Sequence, residues 1–373
     1  MKSEVISSKI RLLFEKTVAK NKILKNGILL VHSDKLNIHW KYATGLVGKG
    51  KNPITENHTF HIASIGKSFT SALIGKLYEE NKISYDDPIA KYLSNDILKD
   101  LHLVEGQSYS DKILIHHLLN HTSGISDYFE EKPKKGKSIL ELVVDEPNHF
   151  WSPLDTIQWG KENLKSHFRP GEGFYYSDTG YQLLGLVVEA ITGKPMWESL
   201  HKNIFEPLNM NSTYQLFYSE PLEKSLNPIA DIYLNLNEVS ENMSLSVDWA
   251  GGGIISNSED LLRFHKALVK NTLLKEETFN RWKDWAKLAR GIDYGYGLVR
   301  IKFNDFLFFL PRKLNIWGNF GSIATFMFYN PAFDIYSIGT FNQSNYAEKQ
   351  VQFLLKLMMK VSKLSSNNND ELL

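Results

Sequence analysis

The chain opens with MKSEVISSKIRLLFEKTVAKNKIL, where charged and apolar residues alternate as they do on a two-faced helix. Residues 27–33 (GILLVHS) and 36–46 (LNIHWKYATGL) are rich in β-formers and are separated by Asp34-Lys35, which predicts strand, tight turn, strand. From Ser64 to Glu80 the apolar residues Ile65, Phe69, Leu73 and Leu77 recur every four positions, the spacing of a helix and not of a strand. Helical patterns follow at 113–119, 179–192 and 197–205, broken by Gly, Pro and Asn, and no second run of strands is expected there. Strand character returns at 295–303 (GYGLVRIKF), 306–310 (FLFFL), 323–330 (IATFMFYN) and 335–342 (IYSIGTFN), and a helix is expected at 346–361. The pattern predicts an α/β chain of the α+β type. Segments 1–80 and 285–364 build an antiparallel sheet flanked by the terminal helices, 81–284 form a mainly helical subdomain, and 365–373 form a frayed polar tail.

Composition narrows the function. At 373 residues with 42% apolar content, the chain can bury a large core. Lysine and arginine total 43 against 42 acids, so no long-range field attracts nucleic acid or an anionic membrane. The absence of cysteine removes thiol catalysis, disulfides and thiolate metal sites. No apolar run reaches the roughly 18 to 20 residues of a membrane span. The first residues never form the apolar block of a secretion signal, which makes a cytoplasmic location the expectation. A secreted or periplasmic chain whose leader has been removed reads the same way.

Two motifs carry chemistry. Ser64-Ile65-Gly66-Lys67 is S-x-x-K, and residues three apart share one helix face, so the amine can reach the hydroxyl. A serine hydroxyl needs a base within hydrogen-bond reach, and a lysine serves if burial lowers its pKa. A helix starting at Ser64 also aims backbone N–H groups at an oxyanion formed there. Alone the string is weak, since it recurs at Ser199 to Lys202 and an N-cap serine accounts for Ser64 equally simply. The second motif lies in RPGEGFYYSDTGYQLLG (169–185), where a Pro-Gly turn delivers Tyr176 and Asp178 just ahead of a helix. A phenol beside a lysine ammonium could relay a proton, whereas the plain reading is an aromatic turn with Asp178 capping the helix.

Other chemistries lack their residues. Gly66-Lys67-Ser68 looks like the end of a phosphate loop, but His61 stands where its first glycine belongs. His117 and His121 have zinc-helix spacing without the glutamate, so no metal or other cofactor is expected, and without a G-x-S-x-G a Ser-His-Asp triad has no support. His121-Thr122-Ser123-Gly124 reads as a turn, Gly251 to Gly253 as a close backbone approach before a helix capped near Ser256 or Ser258, and Trp317 as either groove wall or core.

Taken together and in order, the S-x-x-K helix, the tyrosine turn after F-x-P-G and the small-residue turn Trp317-Gly318-Asn319-Phe320-Gly321-Ser322 resemble class C β-lactamases, low-molecular-mass penicillin-binding proteins and related esterases. HHLLNHTSGISDY (116–128), LLGLVVEAITGKP (183–195), IFEPLNMNST (204–213) and AGGGIISNSEDLLRF (250–264) extend the resemblance over roughly 27–347. It implies a β-lactamase/transpeptidase-like fold with its site between sheet and helical subdomain. It also implies Ser64 as acylated nucleophile, Lys67 as its activator and Tyr176 as proton shuttle. Asp178, Asn319, Phe320, Gly321 and Ser322 would line the substrate groove, with the N–H groups of Ser64 and Ser322 as oxyanion hole. Two positions depart from the family. Asp178 replaces the asparagine of Y-x-N, and a carboxylate there favours the lysine ammonium and shifts proton handling toward Tyr176. Asn319-Phe320-Gly321 replaces K-T-G or H-x-G, so the cation that would greet a substrate carboxylate is missing, and Phe320 suggests a narrowed or apolar pocket. The expectation is a serine hydrolase acting on an ester, amide or amine-bearing short peptide. The alternatives are a catalytically degenerate binding or regulatory protein on the same scaffold, or a penicillin-binding D-alanyl-D-alanine carboxypeptidase.

Overall fold

A computed structural model describes residues 2–48 and 50–366; the rest of the expected tail, from 367 onward, lies outside the described residues. Helix α1 (Lys2–Lys20) leads into β1 (Asn26–Ser33) and β2 (Ile38–Val47), and a short β3 (Asn52–Pro53) follows. The hairpin loop is longer than the expected two residues and ends at Asn37, whose φ of 51° is left-handed. Asparagine tolerates that conformation at little cost.

Helix α2 (Gly66–Glu79), α3 (Asp178–Thr192) and α4 (Ser258–Val269) are the long helices of the middle. The far part of the sheet is β4 (Ala286–Ala289), β5 (Ile292–Tyr294), β6 (Val299–Ile301), β7 (Ile316–Phe320), β8 (Thr325–Asn330) and β9 (Ile335–Thr340), and α5 (Ala347–Ser366) closes the chain. These form one nine-stranded sheet in the order β4-β5-β6-β7-β8-β9-β1-β2-β3, every pair antiparallel. The pairing of β1 with β9, with Leu30 opposite Ile338, joins the two ends of the chain.

Alternation along the strands sorts the core into two layers. Leu29, Val31, Phe326 and Phe328 pack under α1 and α5 with Phe14, Phe353 and Leu357. Ile28, Leu30, Met327 and Ile338 face the other way, toward α2 and α4 with Phe69 and Phe264. Two expectations change here. Residues 306–310 are not a strand: a short helix at Phe303–Phe306 gives way to a turn before Pro311. Phe303 in that helix and Leu310 in the turn are buried, while Phe308 is 94% exposed. The middle does contain short strands, including a three-stranded sheet of Phe60–His61, Ile254–Ser256 and Tyr214–Gln215. Strands of two or three residues are too short to imprint a period on the sequence. No helix among the described residues is long and apolar enough to cross a membrane.

Candidate active site

Ser64 sits in a single 3-10 turn, Ala63–Ile65, that runs straight into α2. Ala63 holds φ +47°, a left-handed conformation that a non-glycine residue keeps only when its surroundings enforce it. The enforcement comes from both sides. Ile62 N donates to Ile254 O (3.1 Å), and Thr325 Oγ1 donates to Ile62 O (3.0 Å). The glycines beneath the turn are required by distance: a Cβ on Gly66 would lie 2.6 Å from Gly252 Cα, and one on Gly252 would lie 2.5 Å from the Ala63 carbonyl. The helix beyond Gly251 to Gly253, α4, is capped by Asn257, between Ser256 and Ser258, and its side chain accepts from Asp260 N.

Lys67, in the first turn of α2, is fully buried. Its Nζ donates to Ser64 Oγ (3.2 Å), to Gly251 O (3.1 Å) and to Asp178 Oδ1. Burial lowers the lysine pKa, but the negative charges of Asp178 and then Asp248 outweigh it, and the net result is a raised value. The ammonium form therefore prevails at neutral pH.

Tyr176 reaches the same hydroxyl from the loop ahead of α3, its OH donating to Ser64 Oγ at 3.0 Å. His121, which occupies a left-handed turn position (φ 59°), grips that loop on either side of the tyrosine. Its carbonyl accepts from Tyr175 N (2.9 Å) and its Nδ1 from Ser177 N (3.1 Å). Burial, and then the charge of Asp178, push the Tyr176 phenol well above its usual value. The phenol is thus held in its neutral, proton-donating form.

Asp178 opens α3, is 2% exposed and lies behind Lys67; its backbone N donates to Asp127 Oδ1 (2.9 Å). It was expected to line the groove, but its carboxylate is turned to the buried ammonium instead. Two further acids were not singled out from the sequence. Burial and the neighbouring Asp178 push Asp127 well up, and burial raises Asp248 to about 7 against the opposing pull of Lys67. The Lys67 ammonium thus faces Asp178 and Asp248, while Asp127 accepts from the backbone N–H groups of Phe129, Glu130 and Asp178.

On β7, Asn319 is buried and fully engaged. Its Nδ2 reaches Ser64 O (3.2 Å), Ser68 Oγ (3.1 Å) and Gly297 O (3.0 Å), while its Oδ1 accepts from Phe320 N (2.8 Å). Its amide ties β7 to the Ser64 turn. Phe320 points to the opposite face of the strand, and Gly321 turns the chain where a Cβ would strike Thr325 Oγ1 at 2.2 Å and Ala63 Cβ at 2.7 Å. Trp317, on the Asn319 face, packs in the core against His265 and Phe279. Ser64, Tyr176, Asn319, Phe320, Gly321 and Ser322 all border one cavity of ≈ 800 Å³. The second S-x-x-K lies apart from it, with Ser199 in the helix Met196–Leu200.

The family model described as Beta-lactamase matches residues 11–355. Penicillin-binding protein 4* of Bacillus subtilis (strain 168) is 27% identical over 273 residues, covering 67% of this chain and 54% of that relative, so the chain spans about half of its length. A D-stereospecific amidohydrolase from Streptomyces sp. superposes with a TM-score of 0.76 at 22% identity, over 93% of this chain and 97% of the other. The octameric penicillin-binding protein homologue from Pyrococcus abyssi gives 0.74 at 25% identity, over 94% of this chain and 77% of the other.

Proposed function

Because this chain belongs to the β-lactamase family, we propose that it is a serine hydrolase that works through an acyl-enzyme on Ser64. The observation that carries the reading is the convergence of Lys67 Nζ and Tyr176 OH on one serine oxygen at the wall of a large cavity. In the proposed cycle the Ser64 oxygen attacks a carbonyl carbon and its proton passes to Lys67 in the amine form. The oxyanion is met by the backbone N–H groups of Ser64 and Ser322. The Tyr176 phenol, held protonated by burial, gives its proton to the leaving group as the carbonyl–heteroatom bond breaks. In deacylation the Tyr176 phenolate takes a proton from the attacking water, and Lys67 returns its proton to Ser64 Oγ as the acyl–oxygen bond breaks and the acid leaves.

Esters, amides and amine-bearing short peptides fit this site better than substrates selected by a carboxylate. The charged side chains on the cavity wall, among the described residues, are Glu130 and Glu348, both acidic, and the Asn319 amide is spent on Ser64, Ser68 and Gly297. Hydrolysis of p-nitrophenyl acetate tests the reading. Ser64→Ala should lower kcat by about 10³-fold or more, and Tyr176→Phe by about 10²-fold or more. Benzylpenicillin should be a poor substrate, and turnover at rates typical of resistance enzymes would refute this substrate choice. One observation favours the binding-protein alternative: at neutral pH Lys67 is held as an ammonium and Tyr176 as a phenol. A protein of that kind is acylated at most once, so a single stoichiometric burst of p-nitrophenol without steady release would select it.

A further inference from the structure

The cavity beside Ser64 is far larger than an acetyl or amide group requires, and its lining is mostly apolar. Leu288, Ile292 and Phe303 form one wall, from the β4–β5 end of the sheet and the short helix beyond β6. Phe320 of β7 faces into the same space, and Val351 and Leu355, four apart on one side of α5, close it. The terminal helix that covers the sheet thus also supplies a wall of the chamber in which Ser64 lies. The apolar surface continues outward: Leu307 borders the chamber and is 43% exposed, and the adjoining Phe308 and Phe309 are 94% and 67% exposed. With Glu130 and Glu348 as the charged groups on the wall, a carboxylate or phosphate head finds no counter-ion there among the described residues.

We infer that this chamber is an acyl-chain site, and that the enzyme prefers uncharged esters or amides of medium to long apolar acids. The inference rests on the hydrolase reading for its catalytic consequence, while the binding site itself follows from the shape and lining of the cavity. At 800 Å³ the chamber lies in the range of small-molecule sites, where burial of apolar area supplies most of the affinity. Each methylene buried should raise kcat/KM about three- to fourfold until the chamber is filled.

The test is a series of p-nitrophenyl acetate, butyrate, hexanoate and octanoate, each below its solubility limit. From acetate to octanoate, which adds six methylenes, kcat/KM should rise by about 10³-fold. In Val351→Trp, where an indole fills the space, the octanoate-to-acetate ratio should fall by about tenfold or more. Ile292→Trp serves as a second blocking variant if circular dichroism shows that Val351→Trp does not fold. A flat or falling series in the wild type overturns the inference and leaves the hydrolase reading standing. If no ester is cleaved, the hydrolase reading fails, and binding of the uncharged probe N-phenyl-1-naphthylamine decides the inference separately. Saturable fluorescence on Ser64→Ala that is displaced by octyl acetate and lost in the double variant with Val351→Trp supports the chamber. No saturable binding overturns it.

Discussion

Lys67 brings a single positive charge into a site that also holds Asp127, Asp178 and Asp248, and its protonation is the variable on which the proposed chemistry turns. A lysine that must act as an amine, but whose pKa is raised by neighbouring acids, gives a rate that climbs with pH. Asp178→Asn removes the first of the opposing charges, so burial counts for more and the lysine pKa falls. The rising limb of kcat/KM should move to lower pH in that variant, and an unmoved limb would detach Lys67 from the base role. Asp248 gives a stability prediction of opposite form. Its folded-state value of about 7 lies above the ordinary 3.8, so the native state holds the proton more tightly and stability falls as pH rises through that interval. Urea midpoints measured between about pH 4 and 7 should fall with pH, and Asp248→Asn should flatten the slope. At this scale Ser64, Lys67 and Tyr176 stood out in the sequence because their spacings relative to a helix and a turn are local. Asp127 and Asp248 did not, because only the fold brings Asp248 to the Lys67 amine and Asp127 to the first residue of α3. Asn319 was legible as a position but not as a role, since the three acceptors that consume its amide come from the Ser64 turn, from α2 and from the loop at Gly297.

At the scale of elements, α2 is the part on which the site is built. Nearly all its side chains are buried, and Ser68, Thr70 and Ser71 satisfy their hydroxyls with Gly297 O, Ala250 O and Tyr181 OH. Phe69 stacks on Phe264 at 3.8 Å, fixing α2 against α4. The closest constraint is the contact of Gly66 with Gly252, where backbones meet with no room for a methyl group. Gly66→Ala should destabilise the protein by about 1–3 kcal/mol, as overpacking does. Because the strain falls beside the Ser64 turn, it should also lower kcat more than it raises KM, which steady-state kinetics and urea unfolding together would establish. The helices α1, α2, α3 and α5 were readable from apolar period, whereas the eleven-residue helix Pro153–Asn163 was not. The FLFFL segment was not, because apolar content alone does not distinguish a strand from a turn that leaves its aromatics in solvent.

Across the whole molecule, the two ends of the chain meet in the middle of the sheet, so the site depends on residues far from it in sequence. Phe14 of α1 is fully buried and contacts Phe341 beyond β9 and Phe353 of α5, at 5.4 and 5.9 Å between ring centres. Phe14→Ala should cost about 3–5 kcal/mol in urea unfolding. Activity per folded molecule should be largely kept on short esters. The antiparallel sheet with its helical middle was foreseen because strand patterns cluster at both ends of the sequence and helical ones between. The cavity was foreseen as a groove with an apolar tendency at Phe320, but its extent was not, since its walls are drawn from β4 to β7, the 303–307 segment and α5. The account rests on Ser64 being an activated nucleophile, and intact-protein mass spectrometry after exposure to a fluorophosphonate tests that most directly. One adduct per chain on the wild type, absent in Ser64→Ala, is the predicted result. An unlabelled wild type, or an adduct that persists in Ser64→Ala, would contradict it.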